Sequence, residues 1–393
     1  MTAVLFTGIS ELRTVSELGT LHDAALLAEN GQVTWVGEAA TAPAADEEVD
    51  LGGRAVLPGW VDSHTHMIFD GDRSGEFEAR MAGADYAAGG IAVTMSATRQ
   101  AGEQRLEQLL LERIRAAHAG GTTTLETKTG YGLDVASERL SAEIAARHVD
   151  EITFLGAHLV PPGAQTGDYL DLVVGEMLDA VAPHVGWIDV FCERGAFDEA
   201  QSRRVLEAGR KRGLGLRVHG NQLGDGPGVQ LAVELGAASV DHVNYITDAD
   251  VEALAGSETV ATLLPACDLS TRQPLAPARQ LLDAGAHIAL ASNLNPGTSY
   301  TSSMNFCVGT AVLQQFLSLE EAIHAATVGG ARALRRHDVG GGLDSNGRPA
   351  KGTLAVGAAA DLHVLDTAHT IDLAYRPGMP LTWRTYRGAE RVA

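Results

Sequence analysis

Residues 55–66 read AVLPGWVDSHTH, an apolar run that ends in two histidines spaced two apart. Side chains alternate along a strand, so His64 and His66 project to the same face. Two imidazoles on one side make half a metal site. A lone HxH is weak, being more often surface or core histidines; repetition gives it weight here. Seven further apolar runs follow: GTTTLETKTG (121–130), ITFLGAHLV (152–160), GWIDVFCE (186–193), GLRVHGNQ (215–222), ASVDHVN (238–244), TVATLLPAC (259–267) and HIALASNLN (287–295). Helical patterns separate them, such as EQRLEQLLLERIRAAHAG (103–120) and DEAQSRRVLEAGRKRG (198–213). Strand–helix units repeated eight times predict an α/β fold of the TIM-like (β/α)8 barrel type, with the doubly wound sheet as rival. Nearly every run ends in a polar group: His64 and His66, Glu126 and Lys128, His158, Glu193, His219, His242, Asn293. Barrel active sites are built at that end of the strands. Polar turns account for one or two of these residues, and poorly for so many histidines.

The chain ends read differently. Residues 1–57 hold short β signals broken by Gly, Pro and acidic residues. In QVTWVG (32–37), alternation puts Val33 and Trp35 on one face and Thr34 and Val36 on the other. So short a segment needs a partner to bury a core. The C-terminal stretches GTLAVGAAADLHVLD (352–366) and PLTWRTYRGAERV (380–392) supply one. The expectation is a small composite β-sandwich domain from 1–57 and 346–393, with the barrel over 58–345. GDGPGV (224–229) lacks nucleotide-binding glycine spacing and reads as a loop, and GGGLDSNGRPAKG (340–352) as a linker. Ser299, Ser302 and Ser303 lack a GxSxG elbow.

With 29 Lys+Arg against 50 Asp+Glu, the formal charge of −21 repels phosphate backbones and anionic lipid. Nucleic-acid and membrane partners are therefore not expected. Cys192, Cys267 and Cys307 are far apart and form no CxxC, which fits a reduced compartment. The N-terminus does not read as a signal peptide, and no apolar run reaches the roughly 18–20 residues of a membrane span. The expected location is the cytoplasm.

A mononuclear metal site takes three or four protein ligands and a water. His64, His66 and His219 offer three nitrogens, and the eighth run should present a carboxylate at position 293. The residue there is Asn293. A two-metal site wants a bridging lysine at the end of the fourth run, but FCERG (191–195) has none, and Lys128 ends the second. One metal is expected. His242 also fits a satisfied core histidine. Asp241 is its neighbour but points to the opposite face, so it is not expected to orient it. Arg73 suits a carboxylate substrate through its planar fork, with a surface pair to Asp70, Asp72 or Glu76 as the alternative. Tyr131, between two glycines, reads as an exposed phenol or as simple packing. NPGT (295–298) offers backbone N–H groups to an anion, or is a plain turn.

PGWVDSHTH (58–66), His219, His242 and the loop after the eighth run resemble the amidohydrolase superfamily. HTHMIFDGDRSGEFEARMAGADY (64–86), ETKTGYGLD (126–134), GAHLVPP (156–162) and NPGTSYTSS (295–303) resemble, more narrowly, the imidazolonepropionase family of histidine degradation. The resemblance spans essentially the whole chain. It implies hydrolysis of 4-imidazolone-5-propanoate to N-formimino-glutamate with one zinc or iron ion, in a homodimer. It puts His64, His66 and His219 on the metal, with position 293 as the further ligand. It gives His242 the ring carbonyl or its oxyanion. Arg73, Tyr86, Tyr131 and His158 fall around the substrate, Gln222 near the ring, and Asn295, Gly297 and Thr298 on the loop that grips it.

The family pattern has aspartate where this chain has Asn293. An amide is a neutral, weaker ligand and cannot take a proton from water at neutral pH. Loss of a general base costs roughly 10²–10⁴-fold. Three readings stay open: a deliberate Asp→Asn change, a natural variant with His242 as the best alternative base, and a relative that binds the ring without turning it over well. The intact neighbouring loop favours natural variation. Two rival functions remain. One is a deaminase or other cyclic amidase, which Gln222 weakens because deaminases want an acid there. The other is a binding protein for imidazole acids.

Overall fold

The computed structural model describes residues 2–83 and 90–393. Tyr86 lies outside the described residues. The chain divides into two compact units, one of residues 1–63, 115–124 and 303–393, the other of 64–114 and 125–302.

Four strands open the chain: β1 (Ala3–Arg13), β2 (Thr20–Glu29), β3 (Gln32–Glu38) and β4 (Glu47–Pro58). Eight more follow: β5 (Trp60–Asp62), β6 (Thr122–Lys128), β7 (Glu151–Ala157), β8 (Trp187–Cys192), β9 (Gly215–Gly220), β10 (Ser239–His242), β11 (Val260–Leu263) and β12 (Ile288–Leu290). The last three are β13 (Leu362–Leu365), β14 (Thr382–Arg387) and β15 (Glu390–Arg391).

β5 to β12 form one sheet in which spatial order follows chain order. The pairs from β6 to β12 run parallel. A doubly wound sheet reverses its strand order at a switch point, and this one does not. Just past the strand ends, Asn293 N donates to His64 O (3.0 Å) and His66 N donates to Leu294 O (2.8 Å). These bonds join the eighth strand to the first and close the barrel. The intervening helices carry ordinary start and stop chemistry. Asp198 caps Glu199–Arg210 reciprocally with Gln201. The helical stretch Ile91–Ala119 breaks at Gly102, where φ is 71°.

The β-domain expected from both chain ends is one mixed seven-stranded sheet, in the order β15-β14-β13-β4-β1-β2-β3. It curls like a sandwich: Phe6 on β1 meets Tyr386 on β14 edge to face at 5.0 Å, although two strands lie between theirs. Phe6, Leu26, Val56, Leu362 and Val364 fill the core between its halves. The alternation expected in QVTWVG does not hold. Leu27 pairs with Trp35 and Ala28 with Val33, so a bulge at Thr34 shifts the register. Val33 and Val36 therefore join this core, while Trp35 packs with Leu5, Ala25 and Leu27. Among the described residues, no helix is long and apolar enough to cross a membrane.

Candidate active site

His64 and His66 follow β5 rather than lying within it, but the ladder continues past the assigned strand. Lys128 N donates to Thr65 O (2.9 Å), and Thr65 Oγ1 donates to Glu126 O (2.6 Å). Thr65 thus turns outward while its two neighbours turn in together. His66 Nε2 lies 3.3 Å from His64 Nε2 and 3.5 Å from His219 Nε2. Nitrogens bound to a tetrahedral ion at about 2.0–2.1 Å stand about 3.3–3.4 Å apart. The three histidines therefore fit a divalent metal ion. Burial, then the charge of Lys128 on His64 and of neighbouring histidines on both, holds His64 and His66 well below the usual histidine range. They are neutral, as ligands must be.

Beneath the histidines lies a layer of buried charge. Asp241 Oδ2 is 2.7 Å from His64 Nδ1. Asp189 Oδ2 is 3.0 Å from His219 Nδ1, a close contact that is not a hydrogen bond. Carboxylates behind metal-binding imidazoles fix the tautomer and the ring orientation. Burial pushes Asp241 up, but Arg217, Lys128 and His219 together hold it below its usual value. Asp189 is likewise held low against its burial, by His219 and Lys128.

His242 closes β10 at φ 85°, followed by Val243 at 49°; a bulky residue in this region is strained. Burial depresses its pKa to about 3, so it is neutral. A ring nitrogen of His242, the Cys267 thiol and an Asp268 carboxylate oxygen lie within 4.8 Å of one another. Burial raises Asp268 to about 7, against hydrogen bonds from Asn244 and the Ala276 N–H. Burial, then Asp268, pushes Cys267 up to about 12, against hydrogen bonds with Thr298 and Asn293. The thiol is no nucleophile at neutral pH. Asn293 sits in a left-handed conformation (φ 52°) and lines the same cleft, with its side chain bonded to Cys267.

The cleft brings together most of the expected residues: Arg73, Tyr131, His158, Gln222, Asn295 and Thr298 line it with His66, His219, His242 and Asn293. Arg73 forms the acidic pair expected as its alternative, and it does so at the cleft wall rather than on the surface. The pair is a two-point one with Glu76 (Nε–Oε2 2.9 Å, Nη2–Oε1 2.8 Å). His158 donates from Nδ1 to Gly130 O (2.9 Å), and burial lowers its pKa to about 4. Its Nε2 is then left as an acceptor. Gly130 has φ 105°, and a Cβ there would meet Leu155 O at 2.6 Å, so only glycine fits the turn that delivers Tyr131. Gln222 is held by its backbone, whose N–H donates to Glu193 Oε2 (2.9 Å).

Two expectations for the NPGT loop need correction. The N–H groups of Gly297 and Thr298 both donate to Asn295 Oδ1 (2.8 Å each), so they are not offered to an anion. Gly297 does not line the cleft. Its contribution is room, since a Cβ there would lie 2.5 Å from Arg73 Cζ. Asp189 and Asp241 are not among the residues expected at the site. The signal was a lone aspartate inside an apolar strand, in WIDVF and ASVDHV. Asp241 does not serve its neighbour His242; it serves His64, on another strand.

Residues 79–378 match the amidohydrolase family. In the same direction, an adenosine deaminase from Xanthomonas campestris solved with bound zinc superposes with TM-score 0.73 at 18% identity, covering 99% of this chain and 92% of that one. A guanine deaminase from C. acetobutylicum superposes at 0.70 with 13% identity, over 100% of both chains. At such identity these likenesses speak for the fold alone. With that fold and three converging histidines, the chain belongs to the amidohydrolase family.

The imidazolonepropionase of Saccharopolyspora erythraea is 65% identical over 100% of this chain and 99% of its own length. That of Streptomyces coelicolor is 53% identical over 99% and 97%. Within the amidohydrolases, the chain is a member of the imidazolonepropionase family.

Proposed function

We propose that this chain hydrolyses 4-imidazolone-5-propanoate to N-formimino-L-glutamate, opening a cyclic amide in histidine breakdown. The observation that carries the reading is the three-histidine cluster, of which His66 and His219 line a cleft that also holds Arg73, in a chain 65% identical to an imidazolonepropionase. His64, His66 and His219 would hold one divalent ion, zinc or iron, with Asn293 beside them. Such an ion, when bound, acidifies water and polarises the ring carbonyl.

The remaining work falls to the protein. Arg73 orients the propanoate, which would share or replace Glu76 on the guanidinium fork. His158, with Nδ1 tied to Gly130 O, presents Nε2 to a ring N–H. Tyr131 packs its ring 5.5 Å from that of His158 and closes this side. Gln222 hydrogen bonds the ring but moves no proton. His242 is neutral, and its buried Nδ1 has no hydrogen-bond partner among the described residues. By its place in the cleft wall, it is the group positioned to take the proton from water and to return it to the leaving ring nitrogen. Asp268, raised to about 7, offers His242 a nearby acceptor. Asn293, bound to the Cys267 thiol, cannot accept a proton at all.

The test is incubation of metal-loaded protein with 4-imidazolone-5-propanoate, following loss of ring absorbance and assaying for N-formimino-glutamate and ammonia. Formimino-glutamate without ammonia is expected. Ammonia release would mean a deaminase, and tight binding with no turnover would mean a binding protein.

The same reading places the chain in the cytoplasm, in keeping with three buried cysteines that form no disulfide among the described residues. It also pairs the chain with a second copy. Helices Met304–Gln314 and Asp372–Tyr375 pack together, and around them Phe316 is 76% and Tyr375 79% exposed, with Phe306, Leu313 and Ile371 also bare. Exposed apolar patches of this kind mark contacts. Sedimentation equilibrium at twice the monomer mass supports the pairing, and a monomer at micromolar concentration overturns it.

A further inference from the structure

Lys128 ends β6 with no exposed surface, between three carboxylates. Its Nζ lies 2.9 Å from Glu126 Oε1, 3.2 Å from Asp189 Oδ2 and 3.9 Å from Asp241 Oδ2. The aspartate oxygens nearest the ammonium are the same two that face the metal-site histidines. Asp189 Oδ2 contacts His219 Nδ1 at 3.0 Å, and Asp241 Oδ2 contacts His64 Nδ1 at 2.7 Å. Glu126 is fixed in turn by the Thr65 N–H (3.0 Å) between the first two histidines. A single ammonium thus anchors residues from three barrel strands, β6, β8 and β10.

The charges point the same way. Arg217, also fully buried, reaches Asp241 Oδ2 at 3.5 Å. Three carboxylates face two basic side chains here, so the layer beneath the three imidazoles carries more acidic than basic groups. Uncompensated buried charge is costly, and a divalent ion above the layer offsets it. Without Lys128 the two aspartates would lose their common anchor and turn away from the histidines, and the imidazole rings would lose their fixed orientation.

We propose that Lys128 is a positioning residue for the metal centre: through Asp189 and Asp241 it holds the His219 and His64 rings in place, with Nδ1 toward the carboxylates and Nε2 toward the ion. The inference rests on the metal reading above. It differs in sign from simple electrostatics, because removing a positive charge near a cation site should tighten metal binding by Coulomb attraction alone.

The test is titration of metal-free protein with Zn²⁺ against a chelating indicator, for the native chain, Lys128→Met, Asp189→Asn/Asp241→Asn, and the triple variant. Visible spectra of the Co²⁺ forms report ligand geometry independently of turnover. Lys128→Met is expected to weaken Zn²⁺ binding by about 10–100-fold, the usual cost of losing an outer-shell partner. It should also alter the Co²⁺ spectrum. In the Asp189→Asn/Asp241→Asn background the same change should cost nothing further. Should Lys128→Met fail to fold, Lys128→Gln, which keeps a donor but no charge, takes its place with the same expectation. Unchanged or tighter Zn²⁺ binding, or an equal loss in both backgrounds, overturns the inference while leaving the metal site standing. No Zn²⁺ bound by the native chain overturns both.

Discussion

His363 in the seven-stranded sheet and His64 at the barrel mouth are both fully buried, yet their surroundings have nothing in common. His363 sits in an apolar interior edge to face with Trp60 (5.2 Å), and Nε2 meets the Thr382 hydroxyl at 2.8 Å. Burial alone drives its pKa to about 3. His64 has a carboxylate behind Nδ1 and two further imidazoles around it. Burial of a histidine therefore says little about its use. What suits a histidine to hold a metal is the acid behind one nitrogen and the approach of the other to neighbouring imidazoles.

The comparison breaks most visibly if a ligand histidine is removed. His219→Ala should drop bound metal from one equivalent to near none. It should cut turnover by roughly 10³-fold or more, beyond the 10–100-fold typical of outer-shell losses. Metal analysis and initial rates check this, and a variant that keeps its metal would make His219 a core histidine like His363.

Asn293→Asp should raise turnover by about 10²-fold at equal metal content, the lower end of what a general base contributes. Equal rates would mean that the proton already travels by another route, with His242 and Asp268 the groups in place.

Arg73→Lys keeps the charge but loses the fork. KM should rise about 10-fold with little change in kcat, since one charge-assisted hydrogen bond contributes about 1.5–3 kcal/mol. An unchanged KM would leave Arg73 as the partner of Glu76 only.

The smallest effect belongs to the small sheet. The folded pKa of His363, about 3, lies below its ordinary 6.5. As pH falls, the unfolded chain takes up the proton first. The stability tied to neutral His363 is present above pH 6.5 and is lost between about pH 6.5 and 3. In His363→Gln, the fall in unfolding free energy over this range should be shallower by about 1.4 kcal/mol per pH unit. Denaturant melts at several pH values measure it, and parallel slopes would mean that His363 charges in place.

The barrel could be read from the sequence because each strand is a short apolar run that announces its own end. That His64 and His66 face the same way could be read because alternation is a local rule, and the ladder continues it past the end of β5. Asp189, Asp241 and Lys128 could not be assigned this way. Their roles depend on which strand lies opposite, and Asp241 serves a histidine 177 residues away in the chain. Alternation rightly separated Asp241 from His242 but could not say what its other face would meet. The NPGT loop shows a similar limit. The letters specify a turn, but not that Asn295 Oδ1 would take the very N–H groups an anion would use. The bulge at Thr34 inverts a pattern that two-residue alternation reads with ease.

The most direct measurement is turnover of 4-imidazolone-5-propanoate by the native chain, stripped of metal and then reloaded with increasing Zn²⁺ or Fe²⁺. Ring opening should be absent in the stripped protein, rise linearly with added ion and level off at one equivalent per chain. Full activity in the stripped protein would contradict a metal-dependent centre built on His64, His66 and His219.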